Sequence, residues 1–298
     1  MSDAGARMSA STSSSPRQER AEIFARQKVG DYTLFTVVAP HIAAGFKPGH
    51  FVAVAVGGPD SALLLRRCFA LYGATPTSDF AGTVQFVVAE HGPGTRWLVH
   101  QPPGAILDIV GPLGRPFPLP PAGSPAVLVG GGYGSAPLIP LAAKLIEQGS
   151  DVEIIIGAAN ESRLFGELVA KRTAGRVTVT TDDGSAGITG RVTDVLDAAI
   201  ERIGAESVYA CGPMAMLRAV GEVARRQAIP AQVAVEESMA CGIGVCMTCV
   251  LPVRGDDGQS RLVRACTDGP VFLADRVRWD DVGRLPHDIV GADAMVGH

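Results

Sequence analysis

Long apolar runs are missing from this chain of 298 residues, so no segment has the length of a membrane span. The opening stretch, MSDAGARMSASTSSSPRQER, has no hydrophobic segment of the kind a secretory signal needs. It reads as a disordered tail over residues 1–21, small, polar and serine-rich. An excess of one charge is also absent: 26 Lys and Arg face 30 Asp and Glu, for a net charge of −4. That balance gives no electrostatic case for nucleic acid or an anionic membrane. Aromatic residues are scarce at 5%, internal repeats are not evident, and the six histidines (His41, His50, His91, His100, His287 and His298) are scattered, most of them expected at the surface. No Ser–His–Asp or Cys–His hydrolytic set is needed. The six cysteines are not spread as a disulfide framework, because four fall in one short region, and the expected compartment is a reducing, cytoplasmic one.

What is present is a hydrophobic fraction of 47% with 36 Gly and 21 Pro, which suits a globular chain rich in strands and turns. The length favours about two domains. From 22 to 120 the pattern is all strand, over Tyr32–Ala39, His50–Val56, Thr83–Val88 and Ile106–Val110. Turn clusters such as Lys47-Pro48-Gly49 and Gly57-Gly58-Pro59-Asp60 separate them. This predicts a small antiparallel barrel, with a β-sandwich as the alternative. Pro116–Pro125 reads as a linker. Over 121–230 the rhythm changes to alternating strands (Ala126–Val129, Val152–Ala158, Val177–Thr181, Ser207–Ala210) and helices (Ser135–Gln148, Leu164–Lys171, Val192–Ile203, Met214–Arg226). That alternation predicts a Rossmann-like α/β domain with a parallel sheet. A third, smaller module is expected over 231–298.

Chemistry concentrates in a few motifs. Cys241, Cys246, Cys249 and Cys266 form C-x4-C-x2-C and a later fourth cysteine, the spacing with which thiolates reach a [2Fe–2S] cluster from a tight loop. Gly242 and Gly244 supply backbone free to turn around it. Structural zinc and unligated thiols are the alternatives; zinc sites usually show two C-x2-C pairs and only one occurs here. Gly130-Gly131-Gly132-Tyr133-Gly134 follows a strand and precedes a helix, where backbone can approach a pyrophosphate, although Pro137 replaces the third glycine of the usual fingerprint. Cys211-Gly212-Pro213 stands at the carboxyl edge of the same sheet. In the barrel, Arg66-Arg67 precedes a strand, and Gly94-Thr95 lies in a turn before a short helix over Arg96–His100, both suited to phosphate. Each of these could instead be ordinary surface or turn.

In this order, the motifs resemble the ferredoxin–NADP reductase superfamily. ESMACGIGVCMTC with RACTDGPVF, together with Thr181–Leu196, resembles the iron–sulfur electron-transfer subunits of the NAD-dependent, class B dihydroorotate dehydrogenases over about 22–275. The resemblance implies an FAD barrel over 22–120, an NAD domain over 121–230 and a [2Fe–2S] module over 231–298. It implies that Arg67, in Arg67-Cys68-Phe69-Ala70, binds the FAD pyrophosphate, that Gly94 and Thr95 cap its phosphates, and that Val87, Val88 and Ala89 line the flavin through backbone atoms. Cys68 stands where the family usually has Pro, and Ala70 where it has Ser or Thr. Asp182 and Asp183 end a strand where NADP-using members clasp the 2′-phosphate, and two carboxylates there would favour NAD. The implied role is pyrimidine biosynthesis: electrons from FMN of a catalytic subunit pass through [2Fe–2S] and FAD to NAD+, in a heterotetramer of two catalytic and two electron-transfer chains. The related alternatives are the flavin subunit of a sulfhydrogenase or of NADH-dependent ferredoxin–NADP oxidoreductase. A zinc-stapled nucleotide-binding regulator is the alternative from another class.

Overall fold

The computed structural model describes residues 15–58, 61–77 and 81–291. Most of the expected tail, residues 1–14, lies outside them, as do Pro59, Asp60 and His298.

Six strands close into an antiparallel barrel: β1 (Arg17–Val29), β2 (Tyr32–Val38), β3 (Phe51–Val54), β4 (Arg67–Thr75), β5 (Thr83–Ala89) and β6 (Ile106–Leu113). Their order around the barrel is β1-β2-β5-β4-β3-β6. Closure decides between barrel and sandwich. Alternation drives it: on β2, Phe35 and Val37 are fully buried, while Leu34, Thr36 and Val38 are partly exposed. Inside the barrel Phe86 stacks between Phe35 and Phe69, with ring centroids 5.5 and 5.4 Å away. Strand β1 begins at Arg17, within the span expected to be tail, and reaches back to pair with both β2 and β6. A short helix, α1 (Pro40–Ala44), plugs one end, and α2 (Pro93–Val99) starts three residues before the helix expected at Arg96.

The second layer is a parallel sheet of β7 (Ala126–Gly131), β8 (Val152–Ala158), β9 (Arg176–Thr181), β10 (Ile188–Thr189), β11 (Ser207–Cys211) and β12 (Ala231–Ala234), in the order β10-β9-β8-β7-β11-β12. Helices α3 (Leu138–Glu147), α4 (Glu167–Thr173), α5 (Val192–Ile203) and α6 (Met214–Arg226) cross over between strands. The chain turns back across the sheet between β7 and β11, so the carboxyl ends of those two strands form the switch point where open α/β sheets bind ligands. The helix expected from Ser135 begins instead at Leu138. Gly132–Ser135 is a tighter 3-10 turn, and Pro137, expected inside the first helical turn, is its N-cap.

The third module is a hairpin of β13 (Val250–Arg254) and β14 (Ser260–Arg264), followed by β15 (Val271–Leu273). Strand β15 pairs antiparallel with β12 and extends the parallel sheet. The boundary expected at 231 therefore runs through that sheet, since Ala231–Ala234 is its last parallel strand. A four-residue strand after a Pro has too little pattern to be read ahead of the cysteine motif. One apolar core joins all three parts, with Phe51, Ala53 and Leu113 of the barrel, Val129 and Ala210 of the sheet, and Cys249, Leu251 and Cys266 of the hairpin module.

Candidate functional site

A cleft of about 1640 Å³ runs between the barrel, the switch point of the sheet and the segment leading to the cysteines. From the barrel, Arg67, Cys68, Phe69, Ala70, Val87, Ala89 and Thr95 line it. Arg66 and Arg67 divide their work. Arg66 pairs with Asp108 of β6 at 3.0 Å and donates to the Asp108 carbonyl, so it fastens two strands. Arg67 donates only to the carbonyls of Leu65 and Arg66, and no carboxylate neutralises it among the described residues. Gly94 leaves room for that guanidinium: a Cβ there would stand 3.2 Å from Arg67 Nε and 2.9 Å from Val56. An unpaired arginine facing an open cleft fits a pyrophosphate. The Thr95 hydroxyl accepts from the amides of His91 and Gly92, so it is committed to its own turn. Val88 points the other way, into the barrel core, as alternation on β5 requires.

On the sheet side, Gly131, Gly132, Gly134, Cys211, Gly212 and Pro213 line the cleft, while Gly130 is buried under Ser135. Gly134 is needed because the turns after β7 and β11 touch: a Cβ would lie 2.5 Å from the Cys211 carbonyl oxygen. Gly132 adopts φ 56. Asp182 lines the cleft, but Asp183 turns away and accepts from the Ser185 hydroxyl and amide, which hold its carboxyl below the usual range. Of the two carboxylates expected to repel a 2′-phosphate, one faces the site.

Tyr133 of the glycine motif, with Glu236 and Tyr32, which are given no role by sequence, completes this wall. The Tyr133 hydroxyl donates to Glu236 Oε1, joining the glycine turn to the segment five residues ahead of Cys241. Tyr32 of the barrel meets Tyr133 edge-on at 5.5 Å and donates to the Arg163 carbonyl. Glu236 also acts on Cys211, whose thiol is pushed up to about 12 by burial first and this carboxylate second. The thiol thus stays protonated. Glu236 precedes the cysteine motif directly, but its partner lies 103 residues away, which no local pattern reveals.

The four clustered cysteines converge in two pairs. Cys249 precedes β13 and Cys266 follows β14, so the hairpin register, Val250 opposite Arg264, brings them together at its mouth. Both are buried, and burial first and Cys249 second push the Cys266 thiol up. Cys241 and Cys246 are the second pair, on a loop where Gly242 (φ 73) and Gly244 (φ 84) turn as expected. The amides of Ile243 and Val245 donate to Cys241 Sγ at 3.4 Å. Thr248 holds the exposed Cys246 thiol down at about 6, poised as a thiolate. Among the described residues no three His, Cys, Asp or Glu side chains are disposed around a single ion. Two pairs of thiols, with amides aimed at sulfur and a buried, unpartnered Thr267 hydroxyl beside Cys266, fit a two-iron cluster instead. Cys68 ties the two halves of the site together. Burial, then all four of these cysteines, raise its thiol to about 12.

Residues 236–278 match the family described as the iron–sulfur cluster binding domain of dihydroorotate dehydrogenase B, and 128–222 match the oxidoreductase NAD-binding domain. Curated relatives with the name "dihydroorotate dehydrogenase B (NAD(+)), electron transfer subunit" include that of Geobacillus thermodenitrificans. It is 36% identical over 264 residues, spanning 87% of this chain and 98% of the relative. The protein of Bacillus caldolyticus is 37% identical over 87% of this chain and 98% of its own length. A probable subunit of Methanopyrus kandleri is 33% identical over 91% and 96%. Among solved structures, one described under flavin-based electron bifurcation by NADH-dependent reduced ferredoxin–NADP oxidoreductase superposes with a TM-score of 0.77. It shares 29% identity and covers 93% of this chain and 96% of the other.

Proposed function

Because the chain belongs to the electron-transfer subunits of NAD(+)-dependent dihydroorotate dehydrogenase B, we propose that it carries electrons from a dihydroorotate-oxidising catalytic subunit to NAD+ in pyrimidine biosynthesis. The observation that carries this reading is one cleft bordered by Arg67, the switch-point turns and the cysteine segment. FAD, a [2Fe–2S] cluster and NAD are its cofactors. Arg67, with the backbone of Val87–Ala89 and the turn at Gly94, would hold FAD. Cys241, Cys246, Cys249 and Cys266 would hold the cluster. Gly131–Gly134, Cys211–Pro213 and Asp182 would receive the nucleotide. Bound there, a one-electron cluster and a flavin that exchanges single electrons for a hydride supply the conversion nicotinamide needs.

The chain's own residues position and insulate. The unpaired Arg67 anchors phosphate, and its barrel strand fixes the ring site beside it. Glycine at 134 lets two strand ends close on the nicotinamide side, where Glu236 places a carboxylate and Cys211 a neutral thiol. A negative carboxylate favours the positively charged oxidised nicotinamide. Asp182 discourages a 2′-phosphate and so supports NAD over NADP.

Ile243, Val245 and Met247 expose apolar side chains on the cluster loop, which supports docking of the catalytic subunit on that face. We infer a heterotetramer of two chains of each kind. No helix among the described residues is long and apolar enough to cross a membrane. Six cysteines without a disulfide support a cytoplasmic site. Fold similarity also links the chain to the ferredoxin–NADP oxidoreductase alternative, but the named dihydroorotate dehydrogenase subunits share more sequence. Size analysis of the co-expressed pair tests the assignment. A stable complex with flavin and cluster absorbance is expected; a lone, colourless, zinc-containing chain would overturn it.

A further inference from the structure

Thr267 follows Cys266 in the turn after β14, at the open mouth of the β13–β14 hairpin. Its backbone is fully engaged: its amide donates to the Arg264 carbonyl at 3.1 Å, and its carbonyl accepts from Arg115 Nε at 3.2 Å. The turn is pinned further by Arg264, whose amide donates to Asp268 Oδ2 at 2.9 Å and whose Nη1 donates to the Gly244 carbonyl at 3.0 Å. Only the Thr267 hydroxyl is left over. Its oxygen is buried and has no hydrogen-bond partner. Buried hydroxyls are normally hydrogen-bonded; Ser150, Thr180 and Ser207 share this state, but Thr267 is the one that adjoins a cysteine of the C-terminal motif.

The position of the side chain says which acceptor. The Cβ that Gly244 lacks would lie 2.8 Å from Thr267 Cγ2 and 3.5 Å from its Oγ1, so the threonine rests on the loop between Cys241 and Cys246. The Gly244 carbonyl is held by Arg264 Nη1, at the end of the strand that leads to Cys266. The hydroxyl therefore lies where the Cys241–Cys246 loop meets the Cys249–Cys266 mouth, beside the space that two pairs of thiols enclose.

We propose that the Thr267 hydroxyl donates a hydrogen bond to a sulfur of the [2Fe–2S] cluster and thereby raises its reduction potential. The proposal rests on the reading of the four cysteines as cluster ligands. Reduction adds negative charge to the sulfurs, and a donor aimed at them stabilises the reduced state more than the oxidised one. Thr267 is thus a positioning and tuning residue for electron transfer, separate from the ligands themselves.

The test is an anaerobic, EPR-monitored redox titration of the complex carrying Thr267→Val, which keeps the shape and removes the donor, beside Thr267→Ser, which keeps the donor. Thr267→Ala removes the hydroxyl with less bulk and substitutes for valine if valine crowds Gly244. At the wild-type midpoint, the valine or alanine variant is expected to show a reduced-to-oxidised ratio about tenfold lower, equivalent to ~59 mV for one electron. The serine variant should titrate close to wild type. A full cluster content with an unchanged midpoint in the valine or alanine variant would overturn the proposal, as would a serine variant displaced equally far. Absence of any cluster signal in the wild-type complex would overturn the underlying reading as well.

Discussion

Cys68 of the barrel and Gly242 of the cysteine loop meet where the barrel and the C-terminal module adjoin: a Cβ on Gly242 would stand 3.4 Å from Cys68 Sγ. The same Cβ would lie 3.1 Å from Leu113 and 3.2 Å from Ala53, so the loop approaches three barrel strands through a residue without a side chain. Glycine also tolerates the φ of 73 there. Gly242→Ala is expected to cost about 1–2 kcal/mol from the left-handed backbone alone, with added crowding against the barrel. Thermal unfolding and iron content of the purified chain check this; both should fall, while flavin content holds.

The two neighbouring arginines should separate in experiment. Arg67→Ala removes an unpaired cation from the cleft and is expected to weaken FAD binding by about 1.5–3 kcal/mol, the range for a hydrogen bond to a charged group. Flavin release on dilution measures it. Arg66→Ala breaks the tie to Asp108 and should lower stability instead, with flavin affinity little changed.

Glu236→Gln keeps the shape of a side chain bound by Tyr133 but removes its charge beside Cys211. Stopped-flow reduction of the flavin by NADH should slow about tenfold, equivalent to 1.4 kcal/mol in the barrier, and the cluster spectrum should be untouched. Tyr133→Phe, which leaves the carboxylate charged, should be milder.

Asp182 stands in the cleft without its neighbour Asp183, so nucleotide choice should respond to the first and not the second. Asp182→Asn is expected to improve NADPH relative to NADH by about tenfold in kcat/KM, and Asp183→Asn to leave the ratio near wild type.

His50 is buried, and burial followed by the Lys47 charge lowers its pKa from 6.5 to about 4. The folded state therefore keeps it neutral where the unfolded chain would protonate. The stability it contributes is present above pH 6.5 and declines as pH falls toward 4, by about 3 kcal/mol in all. Denaturant unfolding across that window checks this, and His50→Gln should flatten the slope.

Much of the fold was legible because its signals are local. Val152–Ala158, Val192–Ile203 and Met214–Arg226 have the expected bounds, since a strand apolar but for Glu153 and amphipathic helices declare themselves within one segment. Strand β1 did not. Arg17–Val29 is charged and largely exposed, with Ala21 and Ile23 as its fully buried residues, and its place is set by partners on β2 and β6. At the site, the cysteines and the glycine turns could be read from spacing. The Tyr133–Glu236 bond, the turned-away Asp183 and the committed Thr95 hydroxyl could not, because each depends on where a side chain points.

The most direct measurement is NADH formation by this chain reconstituted anaerobically with its dihydroorotate-oxidising catalytic partner, given dihydroorotate and NAD+. NADH should appear only when both chains are present, and Cys249→Ser in this chain should abolish it while the partner still reduces its own flavin with dihydroorotate. NADH formed without this chain, or undiminished in the cysteine variant, would contradict the account.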